Sequence, residues 1–184
     1  TPIVENMPSG TAIRPGDILQ MRNGKTIEVI NTDAEGRLIM ADALAFASES
    51  KPDIICDVAT LTGAAYVALG VEIGAVFSNN KVTLDSFLNS NNDGFENYHS
   101  LPLEQSYKSQ IKSNIADMKN SGGRFGGAIT AALLLEEFVD DLNWIHLDIA
   151  GPARSRSSNS IYPEGGTGFG VLGYFNFLAN EANS

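Results

Sequence analysis

Only one cysteine, Cys56, stands in the 184 residues, so no disulfide can form within the chain. It lies in the apolar run Ile54-Ile55-Cys56-Asp57-Val58, with neither histidine close in sequence. That context reads as a small buried core residue in a reducing compartment, not a reactive thiol. Long apolar runs are also missing. Nothing approaches the roughly 18 residues of a membrane-spanning helix. The start, Thr1-Pro2-Ile3-Val4-Glu5-Asn6, has no basic region followed by an apolar stretch, so no signal peptide is expected. It also lacks an initiator methionine, which suits a processed chain or a fragment. Basic residues are scarce, 12 against 22 acidic ones, and the net charge of −10 opposes binding to nucleic acid, which needs clustered Lys and Arg. Charged residues reach only 18%, while glycine numbers 18. Few charges and many glycines point to much buried surface and several tight turns, in one α/β-sized domain.

Several familiar chemistries find no support. No G-x-S-x-G elbow is present, which removes the common serine-hydrolase arrangement. His99 and His146 have no zinc-ligand spacing to another His or Cys; His146 reads as a satisfied core residue and His99 as exposed or capping after a helix. Gly168-Phe169-Gly170-Val171-Leu172-Gly173 matches G-x-G-x-x-G but lacks the βαβ unit and the acidic residue about 20 positions on, so it reads as a tight loop-to-helix junction. Asn89-Ser90-Asn91-Asn92-Asp93-Gly94 lacks the Glu that closes a calcium loop, and the lysines of 108–119 suit a solvated helix face.

What is present alternates strand and helix. Residues 17–22 and 25–30 read as a hairpin around Asn23-Gly24, the pair favoured in a type I′ turn. A helix over 38–46, apolar nearly all round, is expected to be deeply buried and to end at Lys51-Pro52. Residues 53–59 read as a central strand, 64–69 as a short helix and 74–78 as a strand. An amphipathic helix over 83–99, broken near Asp93-Gly94, is followed by a glycine-rich loop at 120–127 and a helix over 128–138. A strand over 144–149 and a helix over 171–178 complete the set. This order predicts an α/β fold, three-layer α/β/α, with a mixed, partly parallel sheet.

Chemistry concentrates at Asp33, Glu35 and Arg37. At spacing two on an extended backbone, all three side chains face one side, placing two carboxylates suited to divalent cations beside a permanent cation suited to an anion. Thr32-x-x-Glu35 equally fits a capping box at a helix start. Gly36 in the first turn would cost roughly 0.5–1 kcal/mol against Ala, which favours a special backbone where something binds.

The octapeptide Asn31-Thr32-Asp33-Ala34-Glu35-Gly36-Arg37-Leu38 resembles the signature of the leucyl (cytosol) aminopeptidase family. Companion stretches run along the chain: Glu5-Asn6-Met7-Pro8-Ser9-Gly10, Asn23-Gly24-Lys25-Thr26, Asp57-Val58-Ala59-Thr60-Leu61-Thr62-Gly63-Ala64 and His146-Leu147-Asp148-Ile149-Ala150-Gly151. The resemblance implies the C-terminal portion of the metallo-aminopeptidase catalytic domain over 1–184, without the upstream metal-ligand segment and N-terminal domain. It implies release of leucine-type N-terminal residues from peptides with a free N-terminus, assisted by two divalent ions (Mn2+ or Zn2+, with Mg2+ also acceptable to carboxylates). By position it makes Asp33 and Glu35 metal ligands, with Glu35 bridging, and Arg37 the catalytic residue holding a bicarbonate that acts as general base. Leu61 also seats the bicarbonate, and Asn31, Thr60, Leu61, Gly63 and Ala128 contact substrate. A cytoplasmic homo-hexamer is implied, with no nucleic-acid or membrane partner. The family's remaining ligands, a lysine and two aspartates, and its catalytic lysine have no counterpart here, so this chain alone is expected to be inactive. The rival expectation is a non-catalytic binding or assembly module of the same fold.

Overall fold

The computed structural model describes residues 1–92, 94–158 and 161–183, and the chain divides into two compact units. The first comprises Thr1–Ile55 and Glu104–Leu142. Strands β1 (Ile18–Gln20) and β2 (Thr26–Glu28) pair antiparallel, with Gln20 opposite Thr26. The hairpin is where the sequence places it, but its turn is not type I′. Gly24 alone has positive φ (88°), Gly24 N–H bonds Met21 C=O at 2.9 Å, and Met21 N–H bonds Lys25 C=O at 2.8 Å. Those bonds describe a three-residue loop with a left-handed glycine at the bulge.

Helix α1 (Gly36–Ser48) buries Leu38, Met40, Ala41, Leu44 and Ala45. It is not buried on every side as expected. Phe46 remains 63% exposed, with the Arg22 guanidinium 4.8 Å from its ring centre. The helix is over before Lys51, which takes φ +49°. Helix α4 (Gly127–Glu136) is the buried one: Ala131 through Leu135 are fully enclosed. Between them the stretch 108–119 is not a helical face. Gln105–Ile111 forms a 3-10 helix, and Met118–Lys119 pairs parallel with β2. Lys108 is drawn into ion pairs with Glu137 at 2.6 Å and Glu136 at 3.3 Å.

The second unit comprises Cys56–Leu103 and the chain from Asn143 onward. Its sheet contains β3 (Ile54–Ala59, from Cys56 onward within this unit), β4 (Ile73–Ser78), β5 (Asn97–Ser100) and, later in the chain, the strand Asn143–Asp148. Counting Met118–Lys119 as β6, that last strand is β7, and the order is β3-β7-β4-β5. β4 runs parallel to β5 and antiparallel to β7, so the α/β class and the mixed sheet are as expected. Two expectations are corrected. β3 lies at the end of the described order rather than its centre, and β7, enclosed from Trp144 to Asp148, takes the central place. The helix expected over 83–99 stops early: α3 spans Lys81–Ser90, capped by Asn80, and residues 97–100 are strand. Asp93, where the break was expected, lies outside the described residues. His99 is exposed as expected, but on β5 and not after a helix.

Helices α2 (Gly63–Leu69) and α5 (Val171–Glu181) and a short antiparallel pair, Arg154–Ser155 with Gly165–Gly166, also belong to the unit. Phe87 of α3 is fully buried, with Tyr98, Tyr174 and Phe177 edge-on at 4.9–5.7 Å. A cluster of that kind loses about 3–5 kcal/mol when one Phe is cut to Ala.

Candidate active site

The acidic stretch lies wholly in the first unit. Its backbone is not extended: Thr32–Ala34 is a 3-10 turn and Glu35 is α-helical (φ −75°, ψ −32°). The spacing-two argument for one shared side therefore fails, because residues two apart on helical backbone do not face each other. The Asp33 side is exposed, Glu35 is half-buried and Arg37 is 8% exposed. Gly36 is simply the first residue of α1, outside the positive-φ set, so the special backbone expected there is absent. Nor does a capping box form. Asn31 supplies the cap, its side chain accepting from Asp33 N–H at 3.0 Å, and Glu35 makes no capping bond.

What survives is chemical. Among the described residues, neither the Asp33 nor the Glu35 carboxylate is engaged by another side chain. Glu35 also lines a cavity of about 520 Å³ with Val4, Met7, Ile13, Leu38 and Ile39. Arg37 donates from Nη1 to the Asn120 carbonyl at 3.0 Å. Asn120 is fully buried, although its place at the start of a glycine-rich loop carries no local signal of that. Ala128 sits in the first turn of α4, 6% exposed, after Gly126 at φ +66°. Among the described residues no group of three His, Cys, Asp or Glu side chains gathers to hold a metal.

The second unit holds the other expected contacts. After β3, Thr60 and Gly63 are exposed, Leu61 is half-buried and Thr62 is buried. The buried Asp148 fixes this loop. Its Oδ1 accepts from Leu61 N–H at 3.1 Å, Thr62 N–H at 3.3 Å and Ala150 N–H at 3.2 Å, and its Oδ2 accepts the Thr62 hydroxyl at 2.6 Å. Thr62 Oγ1 in turn caps α2 through Ala65 N–H at 3.0 Å. In the sequence Asp148 stands only as part of a longer motif, and nothing local points to its role in a loop 86 residues away.

His146 is only half satisfied. Its Nδ1 meets Asp57 Oδ1 at 2.5 Å, while Nε2 is buried without a hydrogen-bond partner among the described residues. Burial pushes its pKa down, but the Asp57 charge and hydrogen bond, with Asp148, outweigh this and raise it. Trp144 Nε1 donates to the other Asp57 oxygen at 2.6 Å. The G-x-G-x-x-G junction explains itself: the buried Glu96 carboxylate accepts from Gly170 N–H at 2.9 Å and Gly173 N–H at 2.7 Å. A protein carboxylate occupies the place where a phosphate would lie in a dinucleotide site. A Cβ on Gly173 would come within 2.1 Å of Tyr98 Oη.

The octapeptide lies across the 3-10 turn and the start of α1 in a mixed α/β chain, and the comparisons say which family carries that arrangement. Residues 1–173 match the model of the "Cytosol aminopeptidase family, catalytic domain". A probable cytosol aminopeptidase of Syntrophotalea carbinolica is 51% identical over 180 residues, 98% of this chain and 36% of that protein. Its counterpart in Prochlorococcus marinus subsp. pastoris is 49% identical over 178 residues, 96% of this chain and 36% of that protein. Among solved structures, a mutant of tomato leucine aminopeptidase matches with TM-score 0.89 at 44% identity, covering 96% of this chain and 34% of its own. The bottromycin maturation enzyme BotP matches with TM-score 0.94 at 38% identity, covering 99% and 41%. The chain belongs to the cytosol aminopeptidase family and spans about a third of the length of the curated relatives it matches.

Proposed function

We propose that the protein carrying this chain is a metal-dependent aminopeptidase, releasing leucine-type N-terminal residues from peptides in intracellular turnover. One observation carries the reading. Among the described residues, two carboxylates within three residues stand unengaged by other side chains in the turn that leads into α1, the second of them two residues before a buried guanidinium. As oxygen donors, Asp33 and Glu35 fit divalent ions, with Mn2+ or Zn2+ the expected pair and Mg2+ acceptable to the same oxygens. When bound, the ions would supply Lewis-acid activation of water and of the peptide carbonyl. Arg37 stays cationic at any working pH and suits an anion, bicarbonate acting as general base, with Leu61 as the second contact. Thr60, Leu61 and Gly63 would take the substrate backbone, and Asn31 and Ala128 would line its pocket. The proposed assembly is a cytoplasmic homo-hexamer.

Two carboxylates are too few to hold a catalytic ion firmly, so the 184 residues alone are expected to be inactive. The test uses the full-length protein, loaded with Mn2+ or Zn2+ and given leucine p-nitroanilide beside its N-acetylated form. Cleavage of the free amine only, reduced roughly a hundredfold or more in Glu35→Gln, supports the reading. No cleavage by the loaded protein, or equal cleavage of the blocked substrate, would end it.

A further inference from the structure

We infer that Asn120 is the positioning residue of the acidic loop, holding Asn31, Asp33, Glu35 and Arg37 in register from a single side chain and its own carbonyl; this rests on the metal-site reading of Asp33 and Glu35. The parallel pairing of β6 with β2 ends at Lys119 opposite Glu28, and Asn120 N–H continues it to Glu28 C=O at 2.9 Å. The paired register ends there, and the Asn120 side chain takes over from the ladder. Its Oδ1 accepts from Ile30 N–H at 2.9 Å and Asn31 N–H at 3.2 Å. Its Nδ2 donates to Asn31 C=O at 2.6 Å and, more weakly, to Ala34 C=O at 3.5 Å. Two main-chain donors and two acceptors fix which end of the amide is oxygen. The main-chain carbonyl of the same residue receives Arg37 Nη1 at 3.0 Å.

The residue is 0% exposed, so water offers no substitute partner. No other side chain of this size supplies both halves. Aspartate keeps the two acceptor bonds but sets a carboxylate oxygen against two carbonyls. Serine is too short to span them. The clasp brackets Asp33 between Asn31 and Ala34 and ties the following turn to Arg37, so its loss displaces the carboxylates relative to one another as well as weakening the fold.

The experiment measures Mn2+ binding by equilibrium dialysis on the full-length protein, its Asn120→Ser and Asn120→Asp variants, and Asp33→Asn as control. Amide exchange at Ile30 and Asn31, kcat and KM are read alongside. The expected result is folded variants in which Mn2+ affinity and kcat each fall about tenfold or more, while those two amides exchange faster. Should one variant not fold, the other carries the comparison. Folded variants with Mn2+ affinity and kcat within twofold of the parent, where Asp33→Asn abolishes binding, overturn the positioning role and leave the metal reading standing. A parent that binds no Mn2+ overturns both.

Discussion

The Thr62 hydroxyl donates a hydrogen bond to the buried Asp148 carboxylate at 2.6 Å while its oxygen caps the first turn of α2. Asp148 is thus the common acceptor for the loop between β3 and α2. Asp148→Ala strands three N–H groups, at roughly 1–3 kcal/mol for each that stays buried. Thr62→Val loses the cap and one bond, about 1–2 kcal/mol. Urea unfolding should therefore rank Asp148→Ala well below Thr62→Val, with Asp148→Asn closest to the parent.

Gly63 opens α2 with its φ outside the left-handed region, and a Cβ there would meet nothing within 4 Å. Nothing in the chain's own packing demands glycine. Gly63→Ala should raise stability by about 0.4–1 kcal/mol by restricting the unfolded chain. If substrate backbone passes here, KM rises in the same variant. A melting temperature that rises with unchanged KM would remove Gly63 from the substrate site.

His146 has a raised pKa, so its protonated form is favoured by the fold. The stabilisation is complete below the ordinary value near 6.5 and is lost as pH rises through the raised folded value. Relative to His146→Gln, the parent's urea midpoint should decline through that window. Parallel curves for the two proteins would show that the imidazole does not titrate with unfolding.

Cys56 is half-buried, not enclosed as its apolar run suggested. Even so, burial, with the charges of Asp57 and Glu181, pushes its thiol up to about 12. Against a starting value of 9.0, this cuts the thiolate at pH 8 roughly a thousandfold. A disulfide reagent should label Cys56 slowly in the native protein and at once in denaturant; rapid native labelling would contradict the burial.

Local signals served well where the physics is local. The Asn23-Gly24 hairpin, the apolar 128–138 helix and the β-branched 54–59 strand follow from turn chemistry, periodicity and side-chain shape. The octapeptide marked where the candidate chemistry lies. Extended geometry for Asp33, Glu35 and Arg37 was wrong because nothing in eight residues distinguishes a 3-10 turn from a strand end. The strand at 97–100 was missed because its pairing partner, β4, lies more than twenty residues away.

By itself, then, the order of residues determined the family and the α/β class, and it named the candidate carboxylates and guanidinium. The class follows from the period of apolar residues, and the family from the resemblance of the octapeptide and its companion stretches to a known signature. Only the tertiary structure decided that Asn120 clasps the acidic loop from 86–90 residues away and that Asp148 pins the Thr62 turn from 86. Hydrogen bonds to buried main-chain groups are satisfied by whatever the fold brings near, and distance along the chain carries no record of that.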